Sequence, residues 1–250
     1  ASLFGFFVRA EHSFSEKASI SGGLRFQYTN YKYDNKMIDG RTKEDGTNCG
    51  FGGCRFSRPS DREDSFSNLS PKIGFIYKFN SSSQAYASLA RGFRAPQTTE
   101  LYRLQNQQEV ANINEVELDS IEIGFRSQGE RSKFFMSAFS MKKDNFIFRD
   151  TQRQNVDSGE TIHRGLEVAL DYQINSSFST STSFTYAKHK YDNSPGISRE
   201  NIRGNIIDTA PKTLGSARLR WEPTDKLDFE FEWVHIGSYF QDPGNQHKYE

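Results

Sequence analysis

Tyr86-Ala87-Ser88-Leu89-Ala90-Arg91-Gly92-Phe93-Arg94-Ala95-Pro96, followed by Glu100-Leu101-Tyr102, reads as a strand that runs up to a rim and stops. Pro96 has no amide proton for a ladder and biases Ala95 away from the helical region, so the strand ends there. Arginines and aromatics gather where the chain leaves the sheet. The rest of the sequence repeats this plan of strand, short turn, strand and long polar loop.

Ten strand candidates follow, at 3–14, 18–33, 68–80, 84–95, 117–127, 132–148, 161–174, 178–191, 211–222 and 227–240. Several alternate with a period of two. Leu227, Phe229, Phe231 and Trp233 oppose Asp228, Glu230 and Glu232, and Ile20, Leu24, Phe26 and Tyr28 oppose Ser21, Arg25, Gln27 and Thr29. A soluble sandwich also alternates. The connections separate the two architectures. Short turns at 15–17, 80–83, 128–131, 175–177 and 223–226 take turns with long segments at 34–67, 96–116, 149–160 and 192–210. An antiparallel up-and-down barrel with tight turns at one end and long loops at the other has this pattern. Several candidates also exceed the usual globular strand of about 5–6 residues.

Composition agrees. Among 250 residues only 34% are hydrophobic, yet 14% are aromatic, with 22 Phe and 11 Tyr. Disordered chains lack aromatics, whereas a barrel with a wet lumen needs apolar side chains only on its outer band. No apolar run is long enough for a transmembrane helix, which does not exclude crossing by strands. A formal net charge of +0, without a basic helix or RNA-binding signature, gives no footprint for nucleic acid. The chain opens inside a strand with no signal peptide before Ala1, which reads as a fragment or processed segment.

The long loops carry the candidate chemistry. Cys49 and Cys54 bracket Gly50-Phe51-Gly52-Gly53 and read as a disulfide that staples one loop, worth roughly 2 kcal/mol in the chain-entropy picture. A zinc site would need two further ligands, and none stands nearby. Asp61, Glu63 and Asp64 could bind calcium or form a solvated loop edge. The five histidines show no metal-ligand spacing and read as lumen or rim residues. Carboxylates (Glu122, Glu167, Asp171, Glu230, Glu232) and bases (Arg25, Lys72, Lys78, Arg126, Arg218, Arg220) share the inner faces, which suggests cross-strand ion pairs. No catalytic constellation appears, so no enzyme is expected, and no cofactor is implied.

The opening stretch, Ala90 to Pro96 with Glu100-Leu101-Tyr102, resembles a segment common in TonB-dependent outer-membrane receptors. Three pieces agree in order: Leu118-Asp119-Ser120-Ile121-Glu122-Ile123-Gly124-Phe125, where Val116-Glu117 replaces the family's usual Pro-Glu; His163-Arg164-Gly165-Leu166-Glu167; and Ala210-Pro211-Lys212 before a strand ending at Trp221. The resemblance spans most of residues 70–240. It implies a portion of a plugged barrel of about 22 strands, lacking the plug domain and the last strands. It further implies the outer membrane of a Gram-negative bacterium and uptake driven by TonB through an absent N-terminal region. The surroundings would be outer-membrane lipid and lipopolysaccharide, and the cargo a small-molecule chelate, most often a ferric siderophore. Haem receptors of this kind often carry a His after the Arg-Ala-Pro segment, and residues 97–116 hold none. Arginine and aromatic side chains suit an anionic, aromatic-rich chelate, so Arg94, Tyr102 and Arg103, then Phe148 and Arg149, are the expected ligand-binding residues. The competing expectations are a complete ten-stranded outer-membrane protease or lipase, a haem or cobalamin receptor, and a soluble β domain.

Overall fold

The structure, a computed structural model, describes residues 1–36, 47, 58–105 and 108–250. The expected Cys49–Cys54 staple lies outside the described residues. Ten long strands form one antiparallel sheet: β1 (Ser2–Ser13), β2 (Ala18–Tyr33), β3 (Arg62–Lys78), β4 (Ser83–Arg94), β5 (Val116–Gln128), β6 (Ser132–Arg149), β7 (Asn155–Gln173), β8 (Phe178–Tyr191), β9 (Thr213–Thr224) and β10 (Leu227–Ile236). Each pairs with its sequence neighbours, so the spatial order is the chain order, with β1 and β10 at the two edges. This is the up-and-down meander expected from the loop pattern. A short helix, α1 (Thr98–Tyr102), follows β4, and a two-stranded ribbon, β11 (Tyr239–Phe240) with β12 (Lys248–Tyr249), follows β10.

Register explains how so little apolar mass suffices. Cross-strand partners share a face, so rows such as Leu89–Ile121 and Leu166–Tyr186 collect the apolar set on one side. Those side chains stay open to the surroundings: Phe231 is 66% exposed, Ile123 57% and Trp233 52%. So large an apolar surface does not suit water. It suits the lipid-facing band of a membrane barrel, where the ladder satisfies every backbone group. Phe178, Trp221 and Phe229 stack along one end of that band, with ring centroids 5.7 and 5.4 Å apart, as interfacial aromatic girdles do.

The tight turns repeat one device. Asn80 Oδ1 accepts from the Ser82 and Ser83 amides, and Asn175 Oδ1 accepts from those of Ser177 and Phe178, two Asx turns from nearly identical sequence.

The opposite face is polar and cross-linked, as expected. Arg218 pairs with Glu232 at 3.0 Å and Glu230 at 3.2 Å, and Arg220 pairs with Asp228 at 2.7 Å. The Tyr86 hydroxyl donates to Glu122. The Tyr86 ring covers Gly124 so closely that a Cβ there would run into it.

Some boundaries differ from the sequence reading. β3 begins at Arg62 rather than 68, and β7 at Asn155 rather than 161, which shortens the expected long loop 149–160 to 150–154. These extensions carry polar residues on both faces, so no alternation announced them; backbone pairing with Lys32 and Tyr33 of β2, and with Phe148 and Arg149 of β6, defines them instead. β9 starts at Thr213 and β10 ends at Ile236, and Tyr239 and Phe240 belong to the separate ribbon.

Replacing Gly124 with Leu should displace the Tyr86 ring and cost about 1–3 kcal/mol. The midpoint of heat-induced unfolding on semi-native gels should fall, while Gly92→Ala, with open space around it, leaves it unchanged. Equal midpoints for the two variants would contradict the packing described.

Candidate functional site

At the long-loop end the segment after β4 turns inward. Pro96, Leu101 and Leu104 are fully buried, and Leu101, Tyr102, Leu104, Ala111 and Ile113 form an apolar cluster with Phe66 of β3. Tyr31, Tyr33, Ala95 and Ile147 pack around it. Read from sequence as a polar surface loop, this stretch instead brings its own core over the inner face of β2 and β3. Glu100 starts the helix: its carboxylate accepts from the Gln97 amide at 2.6 Å and from Arg94 at 2.9 Å. A carboxylate in the first helical turn satisfies an otherwise orphaned amide.

Tyr102 is the keystone. Its ring stacks on Tyr33, with centroids 4.4 Å apart and an 11° tilt. Its hydroxyl donates to Asp64 Oδ2 at 2.8 Å, and Arg58 Nη1 donates to its carbonyl at 2.9 Å. Burial first, and the hydrogen bond to Asp64 second, hold the phenol well above its ordinary range, so it stays a neutral donor. Asp64 also pairs with Arg62.

The same segment is tied to the β6–β7 hairpin. Asn155 Nδ2 donates to the Glu100 carbonyl at 2.8 Å, and its amide and carbonyl bond the Gln108 side chain at 2.9 Å each. Asn114 bonds Asp157 through its amide and side chain at 2.6 and 2.8 Å. Arg149 Nε reaches Asn155 Oδ1 at 3.2 Å. Two of the five expected residues, Arg94 and Arg149, therefore lie on one network that runs through Glu100 and Asn155, and Tyr102 is the last residue of α1. Phe148 packs on Phe146, with ring centroids 5.1 Å apart. Tyr102 and Arg103 line a groove of about 390 Å³ with Tyr31, Tyr33, Arg58 and Thr98. Tyr31, Tyr33 and Arg58 were missed in the sequence because they lie far from residue 100. The β2–β3 register, which aligns Tyr31 with Asp64 and Tyr33 with Arg62, was the signal that could have found them.

Two other sequence features resolve here. The acidic cluster is dispersed: Asp61 accepts from the Asn35 amide, Glu63 from Asn30 and Asp64 from Tyr102, and among the described residues no group of three His, Cys, Asp or Glu could hold a metal ion. Two histidines distant in sequence are brought together, however. His163 and His189 are direct cross-strand partners, with Nδ1 atoms 2.8 Å apart.

The family model for TonB dependent receptor-like β-barrels matches residues 1–249. The chain belongs to that family. Its members are outer-membrane transport receptors. Solved structures agree in fold. The ferric yersiniabactin uptake receptor FyuA from Yersinia pestis superposes with a TM-score of 0.73 at 12% identity, covering 98% of this chain and 36% of its own. The siderophore receptor PiuA from Acinetobacter baumannii gives 0.72 at 14%, covering 98% and 34%. The copper transporter OprC gives 0.74 at 18%, covering 94% and 35%. The chain thus spans about a third of the length of the structures it matches. No curated protein sequence matches it.

Truncating Tyr102 to Ala should open the mouth segment, since removing a buried aromatic costs about 3–5 kcal/mol. Limited proteolysis of intact receptor should then cleave within 95–116 more than tenfold faster. Tyr102→Phe, losing one hydrogen bond worth about 1 kcal/mol, should accelerate cleavage only severalfold. Identical rates for all three proteins would remove Tyr102 from its role.

Proposed function

We propose that the chain is part of the barrel wall of a TonB-dependent receptor that imports an anionic iron chelate across the outer membrane of a Gram-negative bacterium. In this reading it is a portion of a larger barrel whose plug domain, remaining strands and TonB-contacting region lie elsewhere in the whole protein. The observation that carries the chelate is the groove at the outer mouth, where Tyr31, Tyr33 and Tyr102 stand beside Arg58 and Arg103. Aromatic faces and guanidinium groups give stacking and charge-assisted hydrogen bonds to a planar, negatively charged ligand. Iron in such a chelate already has its ligands, so the protein need not supply them.

Arg94, Phe148 and Arg149 serve as the outer rim of this site and hold its loops in place. A complete ten-stranded protease or lipase explains the even strand count less well, because the whole-chain family match is to transport receptors. A haem receptor lacks support from the mouth segment, where residues 97–116 contain no histidine.

In a strain lacking the full-length gene, complementation should restore growth on one of a panel of ferric siderophores, haem and cobalamin, and only with TonB intact. Uptake that persists unchanged without TonB would overturn the transport reading. Arg103→Glu should weaken binding of an anionic ferric chelate at least tenfold, since a hydrogen bond to a charged group contributes about 1.5–3 kcal/mol. Unchanged affinity would move the site away from this groove.

A further inference from the structure

Leu166 and Tyr186 pair across β7 and β8 on the exposed, apolar face. Side chains alternate along each strand, so His163 and His189, three positions on, lie on the polar inner face. They are direct partners in their turn, and their Nδ1 atoms approach to 2.8 Å. Two neutral imidazoles that meet nitrogen to nitrogen hold one proton between them. The surroundings suit a second use of that space.

Buried Thr161 meets His163 Nε2 with its hydroxyl at 2.9 Å. That contact fixes the ring and leaves Nδ1 facing His189, which is how an outer partner orients a metal-ligating histidine. Met141 of β6 is the other cross-strand partner of His163. Its thioether is carried on the same face and within reach, since facing β-carbons lie about 4.5–5.5 Å apart. In the adjoining row Phe139, Gly165 and Ala187 align. The Phe139 ring comes so close to Gly165 that a Cβ there would stand 2.7 Å from it, and Ala187 is buried. The two imidazoles and the thioether therefore stand beside an apolar floor, which limits water at the donors.

Charge selects the ion. The row runs Lys72, Ala90, Ser120, Met141, His163, His189 across β3 to β8 and contains no carboxylate. Among the described residues no Asp, Glu, Cys or third His joins the pair. Lys143, the partner of Thr161 on β6, adds a positive charge felt by both rings, and Asp208 is engaged by the Tyr191 hydroxyl at 2.7 Å. A hard dication would find no oxygen anion here. A soft monovalent ion brings less charge and favours neutral imidazole and thioether donors. We propose that His163, His189 and Met141 form a binding site for a soft monovalent metal ion of the Cu(I) type, held by the two Nδ1 atoms and the thioether sulfur. On binding, the shared proton moves to Nε2 of the ring that carried it, so both imidazoles remain neutral ligands. With the zinc–imidazole distance of about 2.0–2.1 Å as a guide, two nitrogens on one tetrahedral ion stand about 3.3 Å apart. The pair therefore opens by roughly half an ångström from its 2.8 Å contact. The site is separate from the groove at the mouth and does not depend on the cargo assigned there.

The test titrates full-length receptor, purified in detergent, with Cu(I) kept reduced by ascorbate without oxygen, against a chromogenic Cu(I) chelator. The wild type should hold one equivalent more than His163→Gln/His189→Gln. Met141→Leu keeps the pair and the side-chain bulk. It should weaken that equivalent at least tenfold and remove the sulfur scatterer from the copper X-ray absorption spectrum. Thr161→Val removes no donor and should weaken binding about tenfold or more through the His163 ring. His247→Gln, in the turn of the separate ribbon, should change nothing. Heat-modified migration on semi-native gels reports folding, and if the double histidine variant migrates as unfolded, Met141→Leu and Thr161→Val decide alone. Equal Cu(I) retention in the wild type and Met141→Leu would overturn the site, as would a folded double histidine variant that keeps the equivalent. Displacement of Cu(I) by an equal concentration of Zn(II) would overturn the choice of a soft monovalent ion.

Discussion

Everything in this chain depends on backbone hydrogen bonds that leave no group unpaired in a solvent that cannot accept them. A strand crossing hydrocarbon must find a neighbour on each side, and β2 to β9, laid in sequence order, find both within this chain while β1 and β10 each find one. Once the ladder is fixed, the two faces are fixed with it. Phe229, Phe231 and Trp233 go to lipid because Asp228, Glu230 and Glu232 must reach Arg218 and Arg220 on the other side. The low apolar content follows from the same constraint, because only one face of the wall is dry.

The conventional core that does exist is small and sits at the mouth. Leu101, Leu104 and Ile113 gather over Phe66 where strands have risen above the apolar band. The segment is bonded to β2–β3 through Tyr102 and to β6–β7 through Asn155. Groove geometry therefore depends on two hairpins that never touch along the sheet. Tyr31, Tyr33, Arg58 and Arg103 keep part of their surface open while Tyr102 and Leu101 behind them are buried.

Strand identity and sidedness were legible in the sequence wherever one face is dry, as in β2, β7 and β10, because period-two alternation is itself the consequence of that asymmetry. The boundaries of β3 and β7 were not, because residues such as Asp64 and Ser158 sit where both faces are polar. At the mouth, the proline and the arginines marked the place, but the inward turn of Leu101 and Leu104 depends on Phe66 and Tyr33, remote partners that no local pattern names. The His163–His189 contact was hidden for the same reason: spacing along the chain says nothing about neighbours until the register is known.

Asn155 ties these threads together in another way. A single side chain accepts from Arg149 and donates to the Glu100 carbonyl, while its own backbone holds Gln108. Two loops that leave the wall at different strands thus share one joint. A displacement of either therefore loads the other through Asn155, so the segment after β4 and the β6–β7 hairpin are mechanically coupled at that point.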